Sequence, residues 1–157
     1  MKILGIDPGY AITGWSIIDS NQNIIDFGVI TTEAGEKIEV RLYKIHNDLN
    51  SIISQYSPDI AAIEKLFFKQ NSTTALDVSK AIGTIMLTLE IAGISFSEYS
   101  PTQVKQAVTG FGRASKIQMQ TMIKTIFKID KIPKPDDAAD ALAIALCHSC
   151  SKKYDSL

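Results

Sequence analysis

The chain has 157 residues, of which 45% are hydrophobic and 21% are charged, and its formal net charge is −1. A chain of this length forms one ordinary domain that buries roughly two thirds of its unfolded surface. No apolar run approaches the ~20 residues of a membrane span and the N-terminus lacks a signal-peptide pattern, so we expect a cytoplasmic protein.

Charge is distributed unevenly along the chain. Residues 1–64 carry four Lys or Arg against nine Asp or Glu, whereas residues 101–135 carry seven against one. This asymmetry predicts a basic surface beside an acidic site. A helix pair with lysines on its solvated side is a simpler explanation for part of this charge asymmetry.

The first predicted element is a strand that ends in a carboxylate. Lys2 to Ile6 are mostly apolar without strict alternation, which is typical of a strand buried on both faces. Pro8 and Gly9 then favour a tight turn. Asp7 is therefore expected at the last position of a central strand, facing a cleft. The alternative is that it only stabilises the turn.

Four more elements follow. Thr13 to Asp19 and Ile24 to Thr32 predict strands whose short connections indicate an antiparallel meander, with one face of the second formed by Ile25, Phe27 and Val29. Apolar residues at helical spacing predict a helix over residues 38–56. Asp59 to Glu64 predicts a fourth strand. The helix before the fourth strand returns the chain, so this strand runs parallel to the first. Asp7 and Glu64 should therefore lie at the same edge of the sheet.

An aromatic pair, Phe67 and Phe68, comes just beyond that edge, flanked by lysines. Such a pair favours stacking on unpaired bases, although one ring could simply fill the core. A long helix over residues 72–92 has apolar residues on more than one side, which suits burial against a partner subunit.

The next segment predicts a fifth strand, Ile94 to Tyr99, and two helices. Ser100 and Gln103 form a capping-box pattern that opens a short helix bearing Lys105. Ser115 caps a second helix that runs through Lys128. The glycines between them fit neither a dinucleotide fingerprint nor a P-loop, so we expect a mobile loop that contacts a backbone phosphate through Arg113.

The last predicted helix begins at Asp136 and carries a second acid pair. Asp136 itself suits the positive end of the helix dipole. Asp137 and Asp140 are three residues apart, so they lie on one face among small alanines. Two such carboxylates repel each other, which is costly unless a cation or a basic partner is present.

Together these acids form a set of hard oxygen ligands from three elements: Asp7, Glu64, Asp137 and Asp140. Carboxylates without Cys or His favour Mg²⁺ or Mn²⁺ over zinc. Two such ions about 4 Å apart activate water for phosphodiester hydrolysis. No Ser-His-Asp triad is present, and His46 and His148 are expected to be solvated or capping. The pair Cys147 and Cys150 lacks further zinc ligands and a redox context, so we expect two reduced thiols.

Four segments, in this order, resemble one family. They are Gly5-Ile6-Asp7-Pro8-Gly9 with Thr13-Gly14, Ala62-Ile63-Glu64 with Phe67, Val104-Lys105-Gln106, and Asp137-Ala138-Ala139-Asp140-Ala141-Leu142-Ala143. The sequence from about Lys2 to Cys150 resembles RuvC, the bacterial Holliday-junction resolvases. The first motif alone also occurs in sugar kinases and actin-like ATPases.

The resemblance implies a ribonuclease H-like α/β fold, here a five-stranded mixed sheet with helices on both faces, formed by residues 1–150 and followed by a short polar tail, 151–157. It implies a homodimer that makes paired nicks in a four-way junction, leaving 5′-phosphate and 3′-hydroxyl ends. It implies Mg²⁺ held by the four acids and base stacking by Phe67, assisted by Phe68. Lys105 and Lys116 match basic positions near the scissile phosphate, and RuvA and RuvB are the implied partners.

Two positions depart from the pattern: Ala11 and Ile82 stand where relatives often have basic residues, which leaves particular DNA contacts in question. Two alternatives remain. A catalytically silent DNA-binding module would gain nothing from four acids that face phosphate. An actin-like ATPase needs two large lobes, whereas this chain provides one.

Overall fold

The computed structural model of the chain describes residues 1–66 and 75–155, with side chains as far as residue 151. The strands in this part of the chain are β1 (Lys2–Asp7), β2 (Ile12–Asp19), β3 (Ile24–Thr31), β4 (Ile60–Glu64) and β5 (Phe96–Tyr99). The helices are α1 (Ile38–Tyr56), α2 (Ala75–Ile91), α3 (Pro101–Thr109), α4 (Lys116–Phe127) and α5 (Asp136–Asp155). The predicted order of elements is confirmed.

The five strands form one mixed sheet in the order β3-β2-β1-β4-β5. β1 pairs antiparallel with β2 and parallel with β4, and β4 pairs parallel with β5. The first and fourth strands therefore run in the same direction side by side, as the helical crossover predicted. Their carboxyl ends meet at one edge of the sheet.

Helices cover both faces of this sheet because the central strands are apolar on both sides. On one face, Leu4 and Ile6 of β1 pack in a cluster with residues of α1 and α2, among them Ile45 and Ile85. On the other face, Ile3 packs against Leu142 of α5. α3 and α4 add a further cluster beside α5. The central strands are thus enclosed, as their continuous apolar pattern indicates.

α5 lies unusually close to the sheet, and small residues make this approach possible. A side-chain carbon added at Gly5 would lie 2.2 Å from the Ala141 carbonyl oxygen and 2.8 Å from the Ala145 Cβ atom. A carbon added at Gly14 would lie 2.0 Å from the carbonyl oxygen of Asp137. The close packing fixes the first turn of α5 against the ends of β1 and β2.

Both predicted helix caps are present, and each is a reciprocal capping box. The Ser100 hydroxyl accepts a hydrogen bond from the Gln103 backbone N–H, and the Gln103 side chain accepts one from the Ser100 N–H. Ser115 and Gln118 repeat the arrangement at the start of α4. These local interactions set where α3 and α4 begin beside the end of β5.

The prediction that both histidines are solvated or capping is wrong for His148. His148 is 1% exposed, and its Nδ1 lies 2.8 Å from the hydroxyl oxygen of Tyr99. His46 is half-buried, and its Nδ1 lies 2.8 Å from the Thr88 hydroxyl of α2. α5 is apolar on nearly all sides around His148, so its sequence does not distinguish a solvated side from a buried one.

The apolar face predicted for the third strand is only partly covered. Ile25 is 42% exposed and Phe27 is 36% exposed, whereas Ile30 on the opposite face is buried. β3 is an edge strand, and α5 lies mainly over β1 and β2. Period-two alternation therefore identified the strand but not the extent of its burial.

Cys147 is buried on α5 and Cys150 is half-buried. Burial, followed by the smaller effect of neighbouring Cys150, raises the pKa of the Cys147 thiol to about 11. None of the helices in the described part of the chain combines the length and apolar character needed to cross a lipid bilayer.

Replacing Gly5 tests the close packing of α5. Gly5→Ala places a methyl group against the Ala141 backbone, which cannot move without displacing the helix. Overpacking of this kind costs about 1–3 kcal/mol, and contact with backbone places Gly5→Ala at the upper end. Urea denaturation should show a lower midpoint with an unchanged m-value. An unchanged midpoint would contradict the observed packing.

Candidate active site

The site is built on the adjacent ends of two parallel strands. Asp7 is the last residue of β1 and Glu64 the last residue of β4, and the register pairs Ile6 with Ile63 just before them. Because side chains alternate along a strand, Asp7 shares the face of Ile3, and Glu64 shares the face of Ala62. Both of these neighbours pack toward α5 or its flanking helices. The two carboxylates therefore occupy the same face of the sheet.

α5 brings the second acid pair to the same place. Asp137 and Asp140 lie in and just after its first turn, and Asp137 packs its backbone against Gly14, the register partner of Asp7. The alanines that follow the acids are buried, so this turn of helix lies directly on the sheet. The structure brings together the four acids that the sequence singled out.

The pKa of Asp7 reflects the interaction among the four carboxylates. Burial, followed in decreasing order by the charges of Glu64, Asp140 and Asp137, raises the pKa of Asp7 to about 8. Uncompensated carboxylates in a poorly solvated site disfavour one another's ionisation. Perturbations of this kind are concentrated at functional sites in proteins.

Two other acids respond in the same direction. Burial raises the pKa of Glu64, and Asp140 adds to the rise while Lys105 opposes it. Partial burial also raises the pKa of Asp140, against the lowering effect of Lys116. Without a cation, the site therefore retains protons that ordinary surface carboxylates lose.

A cleft of about 180 Å³ opens beside these acids, between α3, α4 and α5. Its charged rim is formed by Glu64, Asp140, Lys105 and Lys116, and its apolar floor includes Val104, Met119 and Ile123. Lys105 lies on α3 and Lys116 on α4, so the basic segment predicted from the charge distribution faces the acidic edge. The cleft combines acids and cations in one concave surface.

Lys116 has a partner that the sequence analysis missed. Its ammonium group forms an ion pair with the carboxylate of Asp136, at the start of α5. The helix-dipole interpretation of Asp136 did not anticipate this contact, because the two residues are 20 positions apart. This hydrogen bond holds the pKa of Asp136 below its usual range.

The donor set suits a hard divalent cation. Four carboxylates and no nitrogen or sulfur ligand match Mg²⁺ or Mn²⁺. Among residues 1–66 and 75–151, whose side chains the structure describes, however, no group of three or more His, Cys, Asp or Glu is arranged to hold a metal ion by itself. Mg²⁺ commonly binds through one or two carboxylates, with water and substrate phosphate completing its shell. An open set of acids around a cleft fits that behaviour.

One predicted DNA-contacting residue lies away from the cleft, and two others fall outside the described part of the chain. Arg113 is exposed in the loop between α3 and α4 and does not line the cleft. Phe67 and Phe68 lie outside the described residues.

Arg41 is a residue near this edge that sequence analysis did not single out. It is 7% exposed and stacks on the ring of Tyr10, just after Asp7 and its turn. One feature of the sequence could have revealed it: Arg41 lies one helical turn before Ile45, on the apolar side of α1.

A five-stranded mixed sheet with acids at the ends of β1 and β4, faced by an acidic helix, defines a ribonuclease H-like fold of the resolvase type. A family model described as crossover junction endodeoxyribonuclease RuvC matches residues 3–148. The chain belongs to the RuvC family of crossover junction endodeoxyribonucleases.

Individual relatives agree with this assignment. The RuvC of Caldicellulosiruptor saccharolyticus is 50% identical over 155 residues, covering 96% of this chain and 93% of its own. That of Finegoldia magna is 48% identical over 160 residues, covering 100% and 98%.

Solved structures give the same result for the fold. Thermus thermophilus RuvC in complex with a Holliday junction substrate is 30% identical, with a TM-score of 0.92 over 99% of this chain and 97% of that one. The yeast mitochondrial resolvase Ydc2 shares the fold, with a TM-score of 0.72 at 15% identity over 96% of this chain and 78% of that one.

The raised pKa of Asp7 predicts a pH-dependent effect on stability. Between about pH 4 and 8 the folded metal-free protein keeps a proton on Asp7 that the unfolded chain has lost, so ionisation destabilises the fold as pH rises. Asp7→Asn removes this penalty. In EDTA, its melting temperature should exceed that of the wild type, and the difference should grow from about pH 5.5 to pH 8.

Asp19→Asn is the matched control. Hydrogen bonds from Asn23 lower the pKa of Asp19, so its ionised form stabilises the fold above its ordinary pKa and that contribution is lost only in acid. Its effect on the melting temperature should therefore be opposite in sign and constant between about pH 5.5 and 8. A constant difference for Asp7→Asn would contradict the electrostatic description of the site.

Proposed function

We propose that this chain resolves four-way DNA junctions by paired symmetric nicks, with Asp7, Glu64, Asp137 and Asp140 as its metal-binding catalytic acids. The observation that carries the proposal is the gathering of these four carboxylates, from three separate elements, around the end of β1. The Holliday junction substrate bound by the Thermus thermophilus relative supports the same substrate class.

The acids have a clear task in such a reaction. They would hold Mg²⁺, with Mn²⁺ as a substitute, because carboxylate oxygens are the ligands that these ions prefer. Two ions held there would supply activation of a water molecule and stabilisation of the leaving oxygen. A purely DNA-binding module has no use for this charge, since unneutralised acids repel phosphate.

The cations of the cleft complement the acids. Lys105 lowers the pKa of Glu64, so its positive charge acts directly on the acidic cluster. Lys116 lies on the opposite helix of the cleft. We assign both lysines to the scissile phosphate, where they neutralise charge that develops during hydrolysis.

The reaction is hydrolysis at phosphorus. The oxygen of water bonds to phosphorus, the bond from phosphorus to the 3′ oxygen breaks, and that oxygen takes up a proton. The products are a 5′-phosphate and a 3′-hydroxyl, which a ligase can rejoin.

The remaining DNA contacts rest on the sequence. We assign Phe67 to base stacking at the junction centre with Phe68 beside it, since aromatic rings stack on unpaired bases. Arg113 is assigned to a backbone phosphate, in keeping with its exposure in the loop beside the cleft. These contacts suit a substrate whose bases are unpaired at the crossover.

We further propose that the active form is a homodimer assembled through α2. Leu87 is 60% exposed and Ile91 is 68% exposed, and they lie one turn apart on the same side of the helix. At Gly83, one turn earlier on that side, no atom of the described residues lies within 4 Å of the position of an added side-chain carbon. A partner helix could approach closely there, and a two-fold dimer supplies one site for each of two symmetric cuts.

The biological setting follows from the substrate. Four-way junctions arise in recombination and repair, so we place the enzyme in the cytoplasm with the DNA. RuvA and RuvB, which the family resemblance implies, are the proposed partners.

The nuclease proposal is tested by single neutral substitutions. Asp7→Asn, Glu64→Gln and Asp140→Asn should each lower nicking of a synthetic mobile four-way junction in Mg²⁺ by about 100-fold or more. Gel-shift binding of the junction in EDTA should persist or strengthen, because each change removes a negative charge that faces phosphate.

Asp130→Asn is the matched control, because it removes the same charge from an exposed position away from the cleft. It should nick at the wild-type rate, and end mapping should give 5′-phosphate termini. Undiminished Mg²⁺-dependent nicking by Asp7→Asn would refute the assignment.

The dimer proposal is tested by placing a charge on α2. Leu87→Asp and Ile91→Asp should each shift the protein from dimer to monomer in sedimentation velocity, because an interface core excludes unpaired charge. Ile117→Asp is the control, since Ile117 is 76% exposed on α4. Dissociation by the control alone would place the interface elsewhere.

A further inference from the structure

Arg41 is buried near the edge of the sheet that carries the acids, and the hydrogen-bonding partners described for it are neutral. It is 7% exposed, and no carboxylate within residues 1–66 or 75–151 lies within ion-pair distance of it. A buried cation without a counter-ion is costly, and an apolar residue of similar size would often stabilise the fold more. The position of its guanidinium group therefore requires an explanation beyond core packing.

The contacts of Arg41 converge on one residue of the β1–β2 connection. Its guanidinium carbon lies 3.5 Å from the centroid of the Tyr10 ring, and Nη2 donates to the Tyr10 carbonyl oxygen at 3.4 Å. Nε donates to the Thr32 hydroxyl at 2.8 Å, and that hydroxyl donates to the same Tyr10 carbonyl at 2.8 Å. One planar group thus contacts Tyr10 on its ring and on its backbone.

This connection, residues 8–11, links Asp7 directly to β2. The Thr13 hydroxyl donates to the Gly9 carbonyl at 2.7 Å, and the Thr32 N–H donates to the Ala11 carbonyl at 3.0 Å. Tyr10 lies between these two attachments, and Thr32 and Arg41 are its hydrogen-bonding partners. A change in the position of Tyr10 would therefore move the backbone that begins immediately after Asp7.

We propose that Arg41 is a positioning residue for the nuclease reaction. It holds residues 8–11 in one conformation and, through them, keeps the Asp7 carboxylate directed toward Glu64 and α5. The inference rests on the proposed function of these acids. It does not place Arg41 in contact with DNA or with a metal ion.

The shape of the guanidinium group matters more than its charge. Stacking on a ring while donating two hydrogen bonds in one plane is specific to arginine, and a lysine ammonium cannot reproduce it. Displacements of about 1 Å in a catalytic group can cost ~100-fold in rate. Partial loosening of the connection should therefore lower the chemical rate while leaving most of the DNA-binding surface intact.

Two variants test the proposal. Arg41→Lys keeps the positive charge and loses the planar guanidinium group. Thr32→Val removes the hydroxyl that bridges Arg41 and the Tyr10 carbonyl, with almost no change in volume. Each should lower the single-turnover rate of junction cleavage about 10-fold at saturating enzyme and raise the Mg²⁺ concentration needed for half-maximal rate. Junction binding in EDTA should remain within about twofold of the wild type.

A second readout does not depend on cleavage. Mg²⁺ that binds the acids should raise the melting temperature, and both variants should require more Mg²⁺ to reach half of that rise. Lys44→Gln is the control: Lys44 is exposed on the same helix and pairs only with Asp48 among the described residues, so both readouts should match the wild type.

The outcomes separate this inference from the proposed function. Wild-type rates and Mg²⁺ midpoints in both variants would overturn the role of Arg41. A rate loss matched by an equal loss of binding in EDTA would also overturn it, since Arg41 would then contact DNA. If the wild-type protein does not nick junctions at all, the proposed function fails, while the melting titration still decides whether Arg41 orients the acids.

Discussion

Mutual repulsion among four carboxylates is the constraint around which this molecule is arranged. Asp7 is half-buried and feels the charges of three other acids, and its pKa rises to about 8 as a result. Nothing in the acids themselves would bring them together. The fold does so through apolar packing, because β1 and α5 are held face to face by Gly5 and the small side chains of Ala141 and Ala145.

The core of the sheet and its edge have different roles. Buried aliphatic side chains on both faces of β1 stabilise the sheet, and this stability sustains a site that disfavours its own ionisation. Divalent cations would relieve that repulsion while they take part in catalysis. The same clustered carboxylates thus destabilise the metal-free protein and would bind the cations. This is typical of functional sites, where groups with perturbed pKa values are concentrated.

Much of this could be predicted from the sequence because its evidence is local. Three signals depend only on residues that are neighbours in the sequence. They are the apolar run that ends in Asp7, the helical spacing of apolar residues over residues 38–56, and the capping box at Ser100. The shared strand edge of Asp7 and Glu64 then follows from chain direction, and the register confirms it. The family resemblance rests on the same segments.

Other features depend on contacts between distant parts of the chain. Arg41 meets the carbonyl of Tyr10 across 31 positions, and His148 meets Tyr99 across 49. Spacing within one helix cannot specify such partners. The helix-dipole interpretation of Asp136 used only the position of this residue within its own helix. The ion pair between Asp136 and Lys116 arises only when α4 and α5 pack side by side.

The thiol chemistry of α5 has a consequence for a crossover junction endodeoxyribonuclease. Thiolates, not thiols, react with peroxides and disulfides, and with a pKa of about 11 Cys147 is almost entirely protonated at neutral pH. It is also only 1% exposed. Cys147, on the helix that carries Asp137 and Asp140, is therefore a poor target for peroxides and disulfides.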